Sequence, residues 1–179
     1  MTWDAHHRRG EVLRAVVDET NSRRDGSLPV ALPGVSETFA DELDLVAALQ
    51  LRWHTRLAGR IDRALLDAPS DLEAAVLDAW RATARELPGV RAVLDTHLEN
   101  PTSDAMAEAL TLAQAKERAL LAAMAGLSSV QDAAASSVGE RLEAAARASF
   151  RADRAPGHRR ATEAHRPTLM GRLKAALAA

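Results

Sequence analysis

From Phe39 to Ala64, apolar side chains return at steps of three and four residues. At about 100° per residue, Phe39, Leu43, Val46, Gln50, Trp53, Leu57, Ile61 and Ala64 fall within about 40° of one mean direction. Seven of these eight are apolar, which predicts one long amphipathic helix with Ser36 as its N-cap and its end near Asp67. The same spacing recurs in four more stretches. Leu13, Val16 and Val17 face inward on a helix over residues 3–24, with Thr2 as cap and Asp4 in the first turn. Ser70 and Glu73 form a capping box ahead of Leu72, Val76, Trp80 and Ala84. Leu87-Pro88-Gly89-Val90 interrupts that pattern, and Val90, Val93, Leu94 and Leu98 continue it as a short helix or the second arm of a kinked one. Ser103 caps a helix to about Ala125 through Met106, Leu110, Ala113, Glu117, Leu120 and Met124. Glu117 is the one charge in that apolar series.

Gly126 stops this helix, and Ser128 with Gln131 reads as a second capping box. The helix it opens has a thin stripe of Val130, Val138, Leu142 and Phe150 among alanines, so it is expected to be a satellite that packs closely but buries little. Gly26, Pro29, Pro33 and Gly34 exclude helix between the first two helical stretches and leave an extended connector of roughly ten to twelve residues. No alternating strand pattern is present. The expected fold is therefore all-α: an antiparallel helical bundle of five or six helices over residues 1–153. A flexible basic linker at 154–167 and a short amphipathic helix at 168–179 follow it.

Composition supports helices over sheets. The chain has 179 residues and is 47% hydrophobic but only 3% aromatic, so its core must be built from alanine, leucine and valine at close helix spacing. The absence of cysteine removes disulfides, thiolate metal sites and cysteine nucleophiles. The charged N-terminus does not read as a signal peptide and no run of eighteen apolar residues occurs, so a cytoplasmic protein is expected. Arginine outnumbers lysine 21 to 2, which reads as high-GC bacterial codon usage before it reads as arginine chemistry. Residues 1–150 hold 16 basic and 23 acidic side chains, net −7, and residues 151–179 hold 7 and 2, net +5. An acidic body carries a basic tail.

Two sets of residues carry candidate chemistry. Asp4, His7 and Glu11, at steps of three and four, share one face of the first helix; with His54 they are candidate metal ligands. No Glu-x-x-His pair is present to build the di-metal centre of a carboxylate bundle. Arg52, Arg56, Arg60 and Arg63 line one flank of the long helix's apolar stripe. That row fits a solvated edge favoured by the helix dipole, and Arg52, Arg56 and Arg60 are also candidate partner contacts. An acidic body without interleaved aromatics disfavours nucleic acid, and the helix after Pro88 offers a groove only Arg91. No Gly-x-Ser-x-Gly elbow or glycine-rich phosphate loop occurs, and no organic cofactor is implied.

The tail is the most distinctive feature. In "TLMGRLKAA", Leu169, Met170, Gly171, Leu173 and Lys174 resemble the C-terminal cargo-loading peptides of encapsulin shells, with Arg172 where those peptides carry serine. The resemblance implies a docking segment for a protein partner. The pattern by itself supports the same reading: a flexible spacer, then a helix with Leu169, Leu173, Ala176 and Leu177 on one face. The same four residues give a membrane surface only weak purchase. The first expectation is a non-enzymatic protein-interaction or adaptor module. The second is a metal- or small-ligand-binding helical enzyme.

Overall fold

The computed structural model describes residues 3–67, 70–128 and 135–154, and among these the chain is all-helical. Seven helices succeed one another: α1 (Trp3–Arg23), α2 (Val35–Thr38), α3 (Glu42–Asp67), α4 (Leu72–Glu86), α5 (Pro88–Glu99), α6 (Asp104–Met124) and α7 (Ala135–Arg154). The helical bundle is as expected, with more helices than the five or six the pattern suggested. The extra division falls inside the predicted long helix. Gly34, at φ 85°, caps the four-residue α2 without a side-chain bond, and Phe39 then turns to an extended conformation. Ser36 is thus inside α2 and caps nothing. Asp41 opens α3 instead, accepting from the Asp44 amide at 2.8 Å. Phe39 stays in the core at 4% exposure, so the periodicity found a core residue and misassigned its helix.

The next boundary also moves by one residue. Asp71, not Ser70, caps α4 by accepting from the Ala74 amide at 3.0 Å. Leu87 alone separates α4 from α5, ending one helix and starting the other, with Pro88 at the first position where its missing N–H costs nothing. Ser103 caps α6 by accepting from Met106, and Gly126, at φ 70°, ends it, both as expected. Residues 129–134, which include Gln131 of the second capping box, and residues 155–179 lie outside the described residues. The expected linker and terminal helix therefore fall almost wholly outside them, while α7 runs to Arg154.

The ion pairs give the packing directions. Arg56 and Arg60 of α3 reach Glu86 at the far end of α4, so the two run antiparallel, as do α6 and α7, where Arg118 meets Glu140 and Glu143. α3 and α6 instead run side by side in the same direction. Thr102, just before α6, bonds Glu42 at the start of α3, and Glu117 meets Trp53 a few turns further on. The core they enclose is headed by Trp53, Trp80, Leu45, Leu49, Leu57 and Ile61, all under 2% exposed. Leu45 and Leu49, off the predicted stripe, are more buried than Leu43 and Gln50 on it. The buried face of α3 is wider than one stripe because α1, α4, α5 and α6 all touch it.

α7 packs closely, as its alanines suggested, but it buries more than its thin stripe promised. Its glycine and alanines let it close on α6 until a Cβ at Gly139 would sit 2.0 Å from the Arg118 carbonyl oxygen. Leu142, Glu143 and Ala146 are buried there. Small residues buy contact by proximity rather than by bulk.

Candidate functional site

Glu117, the mismatch in the α6 series, lies at the centre of the fold. It is 2% exposed, and its carboxylate accepts from the indole N–H of Trp53 at 2.9 Å and of Trp80 at 3.1 Å. The two indoles meet edge to face at 5.7 Å, so one carboxylate satisfies both buried donors. Arg91 of α5 stands 3.6 Å from the same carboxylate, with its guanidinium 4.9 Å from the Trp53 ring centre. Asp95, one turn on, takes Arg91 at 2.8 Å and a two-pronged bond from Arg147 of α7, both prongs 2.8 Å. Arg147 also bonds Glu143 at 2.9 Å, and Glu143 receives Arg118 at 2.9 Å. Arg147 covers the Trp80 ring at 5.3 Å.

Three arginines and three carboxylates therefore close a balanced chain across α5, α6 and α7, with Trp53 and Trp80 tying in α3 and α4. Burial pushes the Asp95 and Glu143 carboxyls up, but the guanidiniums against them outweigh it and hold both below the usual range. Burial likewise opposes the charge on Arg147, and Asp95 and Glu143 more than restore it. Such a network is a poor source of net stability, because desolvation offsets the attraction, but removing one partner leaves a buried charge unpaired. A cavity of about 10 Å3, bordered by Gln50, Arg91, Gln114 and Glu117, adjoins it and is smaller than any substrate.

Leu169, Met170, Leu173 and Lys174 are outside the described residues, and the other candidate metal ligands and partner contacts that are described lie away from this network. His7 and Glu11 are exposed on α1, and the Asp4 side chain is outside the described residues. His54 is half-buried on α3, facing α6. Among the described residues no three histidine or carboxylate side chains gather as a metal site. Arg56 and Arg60 share one carboxylate, Glu86, at 2.7 Å from Arg56 Nε and 3.1 Å from Arg60 Nε. Burial raises that carboxyl, and the two guanidiniums bring it below its ordinary range. Two of the four flank arginines are thus tied to one carboxylate, and the open cleft of about 520 Å3 beside them is lined by Arg63, Asp67 and Asp78 as well. Arg91, which seemed available to a nucleic-acid groove, is buried. His97 is a satisfied core histidine whose Nδ1 donates to the Val93 carbonyl at 2.8 Å.

Another part of the open surface is apolar. Between the parallel helices α3 and α6 runs a groove of about 250 Å3, with Leu43, Val46 and His54 on one wall and Ala109, Ala113 and Lys116 on the other. It exists because Ala47, Ala109 and Ala113 stand where leucines would have filled the space. Leu51, 66% exposed, forms a ridge between this groove and a second of about 460 Å3, where Gly10 and Leu13 of α1 face Ala48 and Arg52. Leu112 on α6 is 57% exposed. No periodicity argument would single out this surface, since Ala113 reads as core and Leu51 as an isolated apolar residue. No helix among the described residues is long and apolar enough to cross a membrane. No family model, curated protein or solved structure matches the chain.

Proposed function

We propose that the protein is a non-enzymatic protein-interaction module whose body receives an amphipathic helix in the groove between α3 and α6. The observation that carries this reading is the contrast between the two kinds of surface. The ion pairs around Glu117, Asp95, Glu143 and Glu86 consume the charged groups best placed for chemistry, while Leu51 and the alanine-floored trough beside it face solvent. A trough of this length and apolar lining suits helix-in-groove recognition, in which side chains at steps of three and four enter one slot.

The test compares proteins retained by the full chain and by a Leu51→Asp, Ala113→Asp variant whose melting temperature matches. Retention that the variant loses supports the reading; equal retention of every protein by both removes the groove from it. The metal-binding alternative rests on Asp4, His7, Glu11 and His54. It predicts that the purified chain takes up stoichiometric iron, manganese or zinc, and that His54→Ala lowers this uptake.

A further inference from the structure

We infer that the groove between α3 and α6 is occupied by this chain's own residues 168–179, which a partner must displace. The inference rests on reading the groove as a helix-binding surface, and three features of the molecule name the occupant. The first is pattern: Leu169, Leu173 and Leu177 recur at steps of four, the spacing that places one apolar ridge along a helix to enter an apolar trough.

The second is charge. Glu42 and Thr102 bond at 3.2 Å, so the starts of α3 and α6 lie together, and the exposed Glu42, Asp104 and Glu108 make that end of the groove acidic. Its other end carries Lys116 and His54. Residues 154–174 hold six basic side chains, from Arg154 to Lys174, against Glu163 alone. Four of the six, Arg154 to Arg166, precede the whole apolar ridge and Arg172 precedes two of its three leucines, so in this docking Arg166 and Arg172 meet the acidic end while Leu173 and Leu177 run toward His54, parallel to α3.

The third is reach. At the end of α7, Phe150 meets Trp80 edge-on at 6.3 Å, and Trp80 meets Trp53 at 5.7 Å. Trp53 is the sequence neighbour of His54, which lines the groove. Phe150, four residues before the last residue of α7, is thus two ring contacts from the helix that forms one wall of the groove. The thirteen residues 155–167 can reach up to about 43 Å at roughly 3.3 Å per residue. An intramolecular ligand on so short a tether acts at roughly millimolar effective concentration, so weak docking suffices to fill the site.

The chain has no cysteine, so Ala175→Cys creates a unique thiol for a nitroxide label on the face opposite the apolar ridge. In the full-length protein the label should quench the methyl signals of Leu43 and Leu51 and spare those of Leu66 and Leu127. Adding Leu169→Asp and Leu173→Asp should restore the quenched signals while the protein stays folded, with at most the small fall in melting temperature that loss of the docked segment brings. Undiminished Leu43 and Leu51 signals would overturn the inference. So would quenching that grows with protein concentration and appears between separately labelled chains, which would make a second copy the occupant. Absent quenching together with partner retention that still needs Leu51 defeats this inference alone; loss of both defeats the reading of the groove as well.

Discussion

Replacing Glu117 tests whether the centre of the fold is a carboxylate holding two tryptophans. In Glu117→Leu the indole N–H groups of Trp53 and Trp80 lose their acceptor in a core where neither reaches water. Each orphaned donor costs about 1–3 kcal/mol, and Arg91 loses the carboxylate it faces. A total of about 3–6 kcal/mol follows, a large share of the roughly 5–15 kcal/mol that holds a domain together. Glu117→Gln keeps the shape but offers one oxygen and one NH2, so a single indole remains satisfied and the expected loss is about half as large. Urea unfolding followed by tryptophan fluorescence measures both. Combining Glu117→Gln with Trp53→Phe should recover part of the loss, since the second change removes the donor that glutamine turns away; a coupling of about 0.5–3 kcal/mol is expected. Variants within about 0.5 kcal/mol of the parent would refute the reasoning.

Three further outcomes follow from the same structure. Asp95 and Glu143 titrate below their ordinary values of 3.8 and 4.5, so the unfolded chain binds more protons than the folded one in that range. Their contribution is complete above about pH 5 and is lost as pH falls through the folded values, so melting temperature should hold from pH 7 to about 5 and then drop; Arg147→Met should flatten that fall. Gly139→Ala should destabilise by about 1–3 kcal/mol or more by driving α7 off the α6 backbone, whereas Gly59→Ala, which meets nothing within 4 Å, should stabilise α3 by about 0.5–1 kcal/mol. Glu86→Gln should cost less than about 1 kcal/mol in urea unfolding, because Arg56 is 49% exposed and its pair is screened by water.

How much was legible follows the kind of force involved. The all-helical fold, the Ser103 and Gly126 boundaries and the core positions Val76, Trp80, Leu57 and Ile61 are written in local spacing and cap chemistry. The break at Phe39 was missed because Phe39 is apolar and in phase, and only the backbone turn after α2 distinguishes it from a helical core residue. The close approach of α7 was legible in its alanines, but its burial was undervalued, because a hydrophobic count does not register buried Ala135, Ala146 and Glu143. Glu117 was visible as a mismatch; its role was not, because its partners lie 64 and 37 residues away in sequence. The groove escaped for the opposite reason. An alanine-floored trough is defined by what two helices fail to fill, and neither helix announces it alone. The arginine row, the most conspicuous pattern, turned out to be half consumed by one distant carboxylate.

The central claim is that this bundle ties Glu117, Asp95 and Glu143 into ion pairs between its helices and presents the α3–α6 trough to a helix. Methyl spectra of Leu43 and Leu51, recorded while a synthetic peptide of residues 168–179 is added to protein bearing Leu169→Asp and Leu173→Asp, test it most directly. The account predicts saturable shifts at those two residues that Ala113→Asp abolishes. Shifts that never appear, or that appear equally at Leu66 and Leu127, would contradict it.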